Sequence, residues 1–349
     1  MQEVWIENLK EAIENSGRQQ QIVIWGASYK SDRIYSILKN WGFTISGYID
    51  KNSDNISEYN DCPVYPIEKL RECPFFVFVA LTTHWQEVLD QLSEMGYVEF
   101  VDFWYPRRVI ELDGTQDYED LYGNRLVTEN RCPMRVKLRI GGAVEIRAKK
   151  LNKITIVSEG DSLVKIGERV SVGKDTVIES TGGSIFIEDR CKLLSFTVIR
   201  AQSGGKISVG ERCTMNRGCF LYASFGAKIV LGKDCMVSYL VLIRAGNSHN
   251  MIDLNTMENL DDNAKRDVIL GEHVWVGMRA TLMNGVEIGS GSTVGANTFA
   301  CKKIFPKNCC IAGNPAKIIR ERTAWLRDGF EMHKDIEDYQ EFIYDEYSR

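Results

Sequence analysis

Between Leu270 and Arg320 the chain repeats an aliphatic–glycine pair on one six-residue frame. The pairs are Leu270-Gly271, Val276-Gly277, Ile288-Gly289 and Val294-Gly295, and the stretch closes on Ala312-Gly313-Asn314-Pro315-Ala316-Lys317. An aliphatic side chain at every sixth position fills the interior of a coil, and the small residue beside it lets the backbone turn a corner. That pattern predicts a triangular β-helix. The frame extends backward through Ile166-Gly167 and Val172-Gly173, again six apart. Three segments, Ile185 to Cys191, Ile207 to Cys213 and Ile229 to Cys235, then recur at a spacing of 22 residues. Each reads as a coil of about eighteen residues with a short excursion at one corner. Such repeats bury their faces only by stacking, so the stack needs capped ends. Cys191, Cys213 and Cys235 share one point of the repeat, which predicts an internal ladder of small buried thiols. No CxxC spacing suggests a metal cluster instead.

Residues 1–110 follow another grammar. A helical start places Trp5, Leu9, Ala12 and Ile13 on one face, and a short apolar strand, Gln21 to Trp25, breaks at Gly26-Ala27-Ser28. Ile34, Ile37, Leu38 and Trp41 then mark an amphipathic helix, Ile45 to Ile49 a second strand, and Phe75 to Val79 a third. A helix striped by Trp85, Val88, Leu89 and Leu92 follows. Strand and helix in alternation predict a Rossmann-like parallel sheet. The loop after the first strand sits where backbone amides and a helix N-terminus favour a phosphate. Gly26, Ser28, Lys30 and Asp50 are therefore candidate nucleotide contacts, Asp50 as the acid for a ribose hydroxyl. Serines stand where a GxGxxG fingerprint has glycines, and a purely structural domain is the competing reading. The domains expected are 1–110 (α/β), 111–133 (a polar, acidic linker), 134–322 (β-helix) and 323–349. In the last, Ile336, Tyr339, Ile343 and Tyr347 suggest a C-terminal helix.

Composition sets limits. A chain of 349 residues suffices for two domains with their own cores. Its net charge of −5 and the lack of a basic stripe argue against nucleic acid. The strongest apolar run, Phe75 to Leu81, is far short of a membrane span, and the acidic start Met-Gln-Glu-Val-Trp-Ile-Glu does not read as a secretion signal. Ten cysteines in such a chain read as reduced thiols, hence a cytoplasmic protein.

Three elements in tandem carry a resemblance: Arg244 to Asp253, Leu270 to Gly277, and Asn314 to Arg320. Together they resemble the bacterial hexapeptide-repeat acyltransferases, whose fold is a left-handed parallel β-helix. The N-terminal half is similar to the sugar-binding α/β domain that precedes the β-helix in sugar acyltransferases of glycan pathways. The resemblance implies a homotrimer with acetyl-CoA in a groove between neighbouring β-helices and a histidine as general base. By position that base is His249, with Asp253 a possible orienting group. Expected acetyl-CoA contacts are Trp275 beside the pantetheine arm, Met278 and Ala296 through backbone, and Cys301, Lys302, Lys317 and Arg320. Cys301 stands where the family has threonine, and Lys317 where it has arginine. No metal is expected.

The function this implies is acetyl transfer to a sugar hydroxyl in surface polysaccharide or lipopolysaccharide synthesis. N-acetylation of a nucleotide-linked amino sugar and a non-catalytic scaffold are the alternatives. A zinc-dependent carbonic-anhydrase type of β-helix needs three converging histidines, and only His249 and His273 lie in this region. His84, His273 and His333 read as ordinary structural residues.

Overall fold

The structure is a computed structural model that describes residues 4–18, 21–81, 85–105, 109–129, 133–151, 153–160, 162–247, 249, 252–259 and 267–327. His84, His333, residues 328–349 with the apolar stripe expected there, and the side chains of Trp5 and Lys30 lie outside that description. The chain divides into two compact units. One takes residues 1–109 with 119–124 and 139–141, and the other takes the rest.

In the first unit α1 (Val4–Asn15) precedes β1 (Ile22–Trp25), and α2 (Asp32–Asn40) precedes β2 (Ile45–Ile49). A small antiparallel pair, β3 (Glu58–Tyr59) with β4 (Cys62–Tyr65), is followed by α3 (Lys69–Glu72), β5 (Phe76–Val79), α4 (Trp85–Glu94) and β6 (Phe103–Trp104). The sheet order is β3-β4-β2-β1-β5-β6, parallel apart from β3. Four-residue strands of apolar residues form because both faces are covered: β1 and β5 are buried throughout. Leu9, Ile13, Ile34 and Leu38 pack on one face, and Val88, Leu89 and Leu92 on the other. Strand order reverses between β1 and β5, the place where ligand crevices form in such sheets.

The second unit is a left-handed parallel β-helix. Three parallel ladders run its length. The first passes through Thr155–Glu159, Val177–Thr181, Val198–Gln202, Phe220–Ser224, Leu242–Ala245, Thr281–Leu282 and Phe299–Ala300. The second includes Ser184–Ile187, Lys206–Val209, Lys228–Leu231, Val268–Leu270 and Val286–Ile288. The third includes Lys192–Leu193, Thr214–Met215, Met236–Val237, Trp275–Val276, Thr293–Val294 and Cys309–Ala312. Inward columns are aliphatic from coil to coil, as in Ile185, Ile207, Ile229, Val268 and Val286, all with no exposure. The expected thiol ladder is present. The Sγ–H of Cys191, Cys213 and Cys235 donates to the carbonyls of Gly210, Gly232 and Gly271 at 3.1, 3.0 and 3.2 Å. The neighbouring Cys213 thiol and burial push the Cys191 thiol far above the ordinary thiol range.

Two expectations need correction. The 22-residue coils carry no excursion at a corner. Their extra residues lengthen two strands, so Phe220–Ser224 and Lys228–Leu231 have five and four residues where Thr281–Leu282 and Val286–Ile288 have two and three. The stretch 111–133 is not a plain linker. Ile110–Leu112 pairs antiparallel with Arg135–Arg139, and Arg125–Thr128 pairs parallel with Ala143–Ile146, so these segments close the first end of the stack. Only Leu126 and Thr128 of that last strand face inward, too short an alternation to register in the sequence. Residues 323–327 run in irregular backbone, and the helix expected further on lies outside the described residues. The other end of the stack closes where Lys317–Glu321 folds back antiparallel on Cys309–Ala312. No helix among the described residues is long and apolar enough to cross a membrane.

Candidate active site

Between Ala245 on the first ladder and Val268–Leu270 on the second, a long insertion interrupts the coil. His249 is exposed on its outgoing leg. Gly246 is required at the root: its φ is +86°, and a Cβ there would collide with the Ser224 carbonyl. Both legs are held by the coil above. The Gly246 N–H donates to Asn284 Oδ1 at 2.8 Å, and Asn284 Nδ2 donates to Asn247 Oδ1 at 2.7 Å. On the return leg the Gly285 N–H donates to the Asp267 carbonyl at 2.9 Å, while Asp267 Oδ1 accepts the Lys228 N–H at 2.8 Å. Further out, Asp253 Oδ1 accepts the N–H groups of Asn255 and Thr256 at 2.7 and 3.2 Å. The carboxylate expected to orient a histidine thus organises the turn of its own loop.

Among the expected acyl-donor contacts, Trp275 and Met278 are partly open, at 36% and 42% exposure, and Ala296, Cys301, Lys302, Lys317 and Arg320 are exposed. Trp275 lies on the third ladder between Met236 and Thr293, its Nε1–H donating to Ser238 Oγ at 3.1 Å. Lys317 and Arg320 sit on the closing strand opposite Ala312 and Cys310. Neither they nor Lys302 join an ion pair among the described residues, which suits cations that meet an anionic ligand.

His273 is more than a turn residue. Its side chain is 2% exposed, with Nδ1 2.6 Å from Asp234 Oδ2 and Nε2 3.0 Å from the Trp325 carbonyl. A carbonyl and a carboxylate only accept, so the ring lies between two acceptors. Burial by itself raises the Asp234 carboxyl, but the His273 hydrogen bond and the Arg327 charge outweigh it and hold it below the usual carboxylate range. The Trp325 ring stacks on His273 at 4.0 Å, and its Nε1–H donates to the His273 carbonyl at 2.8 Å. Arg327 Nε–H donates to Asp234 Oδ1 at 3.0 Å. Residues 323–327 therefore form a strap along one corner of the coils, and Trp325 also lies 6.1 Å from Trp275. These partners are 39 to 93 positions apart in sequence, and no local motif announces them.

In the α/β unit, a cleft of about 460 Å³ opens where strand order reverses. Its lining includes Gly26, Ser28, Asp50, Asn52 and Leu81. Asp50 is already engaged: Oδ2 accepts the Ala27 N–H and Oδ1 the Asn52 N–H, each at 2.9 Å. Asp32 stands in the first turn of α2, so a carboxylate already meets the positive helix end expected to hold a phosphate.

Comparison with known proteins adds the following. Residues 267–299 match the bacterial transferase hexapeptide (six repeats) family. The chain is 36% identical over 92 residues to a polysialic acid O-acetyltransferase of Escherichia coli O1:K1, spanning 26% of this chain and 29% of that protein. It is 43% identical over 65 residues to WbbJ of E. coli K12, provisionally named a lipopolysaccharide biosynthesis O-acetyl transferase, spanning 19% and 31%. Each alignment thus spans under a third of the relative's length. Among solved structures, the polysialic acid O-acetyltransferase OatWY superposes with a TM-score of 0.50 at 26% identity, covering 57% of this chain and 96% of that one. The chain thus carries the bacterial transferase hexapeptide repeat at 267–299, and its β-helix shares the fold of OatWY.

Proposed function

We propose that this protein is an acetyl-CoA-dependent acetyltransferase acting on a sugar hydroxyl, in the synthesis of a surface polysaccharide or lipopolysaccharide. The observation that carries the reading is the placement of His249: exposed, on a loop rooted by its neighbouring coils, immediately before the hexapeptide repeat at 267–299. A neutral imidazole there takes the proton of a sugar hydroxyl as the oxygen attacks the thioester carbonyl, a contribution of about 10²–10⁴-fold. Lys302, Lys317 and Arg320 are proposed to hold the phosphates of the acyl donor, and Trp275, Met278, Ala296 and Cys301 to line its arm. The relatives' O-acetyltransferase names support hydroxyl over amine acceptors. A cytoplasmic homotrimer, with the groove between copies, completes the proposal. The exposed loop-tip residues Ile252, Leu254 and Met257 suit cover by a second copy. N-acetylation of a nucleotide-linked amino sugar is the second reading, favoured by the cleft at Gly26, Ser28 and Asp50.

The test is acetyl transfer to a panel of neutral glycans, sialylated glycans and nucleotide amino sugars, with free CoA followed by chromatography. Collapse of hydroxyl transfer in His249→Ala supports the proposal. Transfer to amines alone establishes the second reading, and full activity of the variant removes His249 from the mechanism.

A further inference from the structure

We infer that Asn284 is a positioning residue for the acetyl-transfer reaction, fixing the root of the loop that carries His249 to the coil that carries Cys301 and Lys302. The inference rests on the reading of His249 as the base.

The parallel pairing of Leu242–Ala245 with Thr281–Leu282 matches Leu242 to Thr281 and Ile243 to Leu282. Continued by two residues, that register puts Asn284 opposite Ala245. Below it the same inward column holds Ala223, Ala201, Ser180 and Ser158, matched in turn by the ladder pairings. A column of small residues thus meets one larger amide, 7% exposed, at the level where the chain leaves the coil. A buried amide in an otherwise aliphatic and small-residue interior is costly unless its polar atoms are satisfied. Here each is matched to a particular partner. Oδ1 accepts the N–H of Gly246, which has left its ladder, and Nδ2 donates to Asn247 two residues before His249. The backbone carbonyl of Asn284 faces the other way. It accepts the Lys302 N–H at 2.8 Å and lies 3.7 Å from Cys301 Sγ. One residue therefore joins the loop bearing the proposed base to the coil bearing two proposed donor contacts. The adjacent Gly285 holds the returning leg through Asp267. Asn284 touches no reacting atom, and its effect passes through the placement of His249.

Alanine is the natural test, because the column already accepts alanine at this point of the repeat. Asn284→Ala is expected to fold, to bind CoA within about twofold of the native chain by calorimetry, and to lose about 10²-fold in kcat, the scale expected for a misplaced catalytic group. Asn284→Asp is expected to recover most of that loss. A carboxylate oxygen still accepts the Gly246 N–H, and the Asn247 amide can rotate to donate to the other. Hydrogen exchange read alongside needs no acceptor sugar: the Gly246 amide and residues 252–259 lose protection in the alanine variant and keep it in the aspartate one. Unchanged kcat, or unchanged exchange at Gly246, overturns the inference. Failure of the His249 reading looks different: full activity in His249→Ala, or no transfer by the native chain, with the exchange result still deciding whether Asn284 fixes the loop.

Discussion

Replacing Asp234 by Asn tests the strap built on the contact between Asp234 and His273. In the native chain the carboxylate receives two charge-assisted hydrogen bonds, from His273 at 2.6 Å and from Arg327 at 3.0 Å. Removing one member of a fully buried ion pair costs about 3–5 kcal/mol. Asp234 and Arg327 are 20% and 31% exposed, which lowers the figure. An asparagine can restore one bond, because its side-chain amide still reaches His273 Nδ1. That bond returns about 1 kcal/mol. The net cost is about 2–3 kcal/mol, or roughly 30–150-fold in a local opening constant. In a solenoid each coil contacts only its neighbours, so the loss stays near the strap and does not melt the stack. Amide hydrogen exchange reads the strap directly. Exchange at residues 323–327 is expected to accelerate by the factor above in Asp234→Asn. Unaltered exchange in the variant refutes the reasoning.

Because the Asp234 carboxyl is held below its ordinary value of 3.8, its stabilisation is complete above that value and fades only as pH falls through the depressed native one. Trp325 fluorescence should therefore report an intact strap at about pH 5 and release only in stronger acid; release by pH 5 contradicts the sign. Gly246→Ala should cost about 1–3 kcal/mol at the loop root, from the positive φ and the collision with Ser224, and should depress kcat more than donor affinity. Thiol alkylation of the native protein should mark exposed Cys301 readily and leave buried Cys191, Cys213, Cys219 and Cys235 unmodified until denaturation. Burial pushes the Cys219 thiol up to about 11, so little thiolate forms there.

Sequence periodicity reached the β-helix because each coil repeats one local rule, an inward aliphatic residue beside a small corner residue. The 22-residue spacing of Cys191, Cys213 and Cys235 was legible for the same reason. Whether four extra residues bulge or lengthen strands was not legible, because both leave the inward residues in phase. In the α/β unit, alternation of apolar strands with striped helices was sufficient. Asp50 was noticed at its sequence distance from Gly26, yet its bonds to Ala27 and Asn52 belong to the folded loop. Asn284 and His273 escaped for a shared physical reason. Their partners lie 38 and 39 residues away, brought close by one turn of the coil around the 246–267 departure. A signal existed at Asn284, a large amide where the column otherwise holds alanine or serine, but it appears only once the coils are in register.

The change of strand length between neighbouring coils gives the stack a step. Below it the first ladder is paired through Ala223–Ala245, and above it the strand pairing stops at Ile243–Leu282. A crystal face offers an analogy: flat terraces are saturated and inert, and adsorption and reaction concentrate at ledges where the lattice is interrupted. Along the uniform coils each backbone group meets the next layer and leaves little for chemistry. At the ledge the repeat leaves Gly246 to a side chain, releases a long loop, and presents an exposed histidine, His249. Transplanting this ledge to another height of the stack, with its wide coil below, narrow coil above and Asn284 between them, should carry the loop's geometry with it. A histidine grafted onto an unbroken terrace should gain nothing.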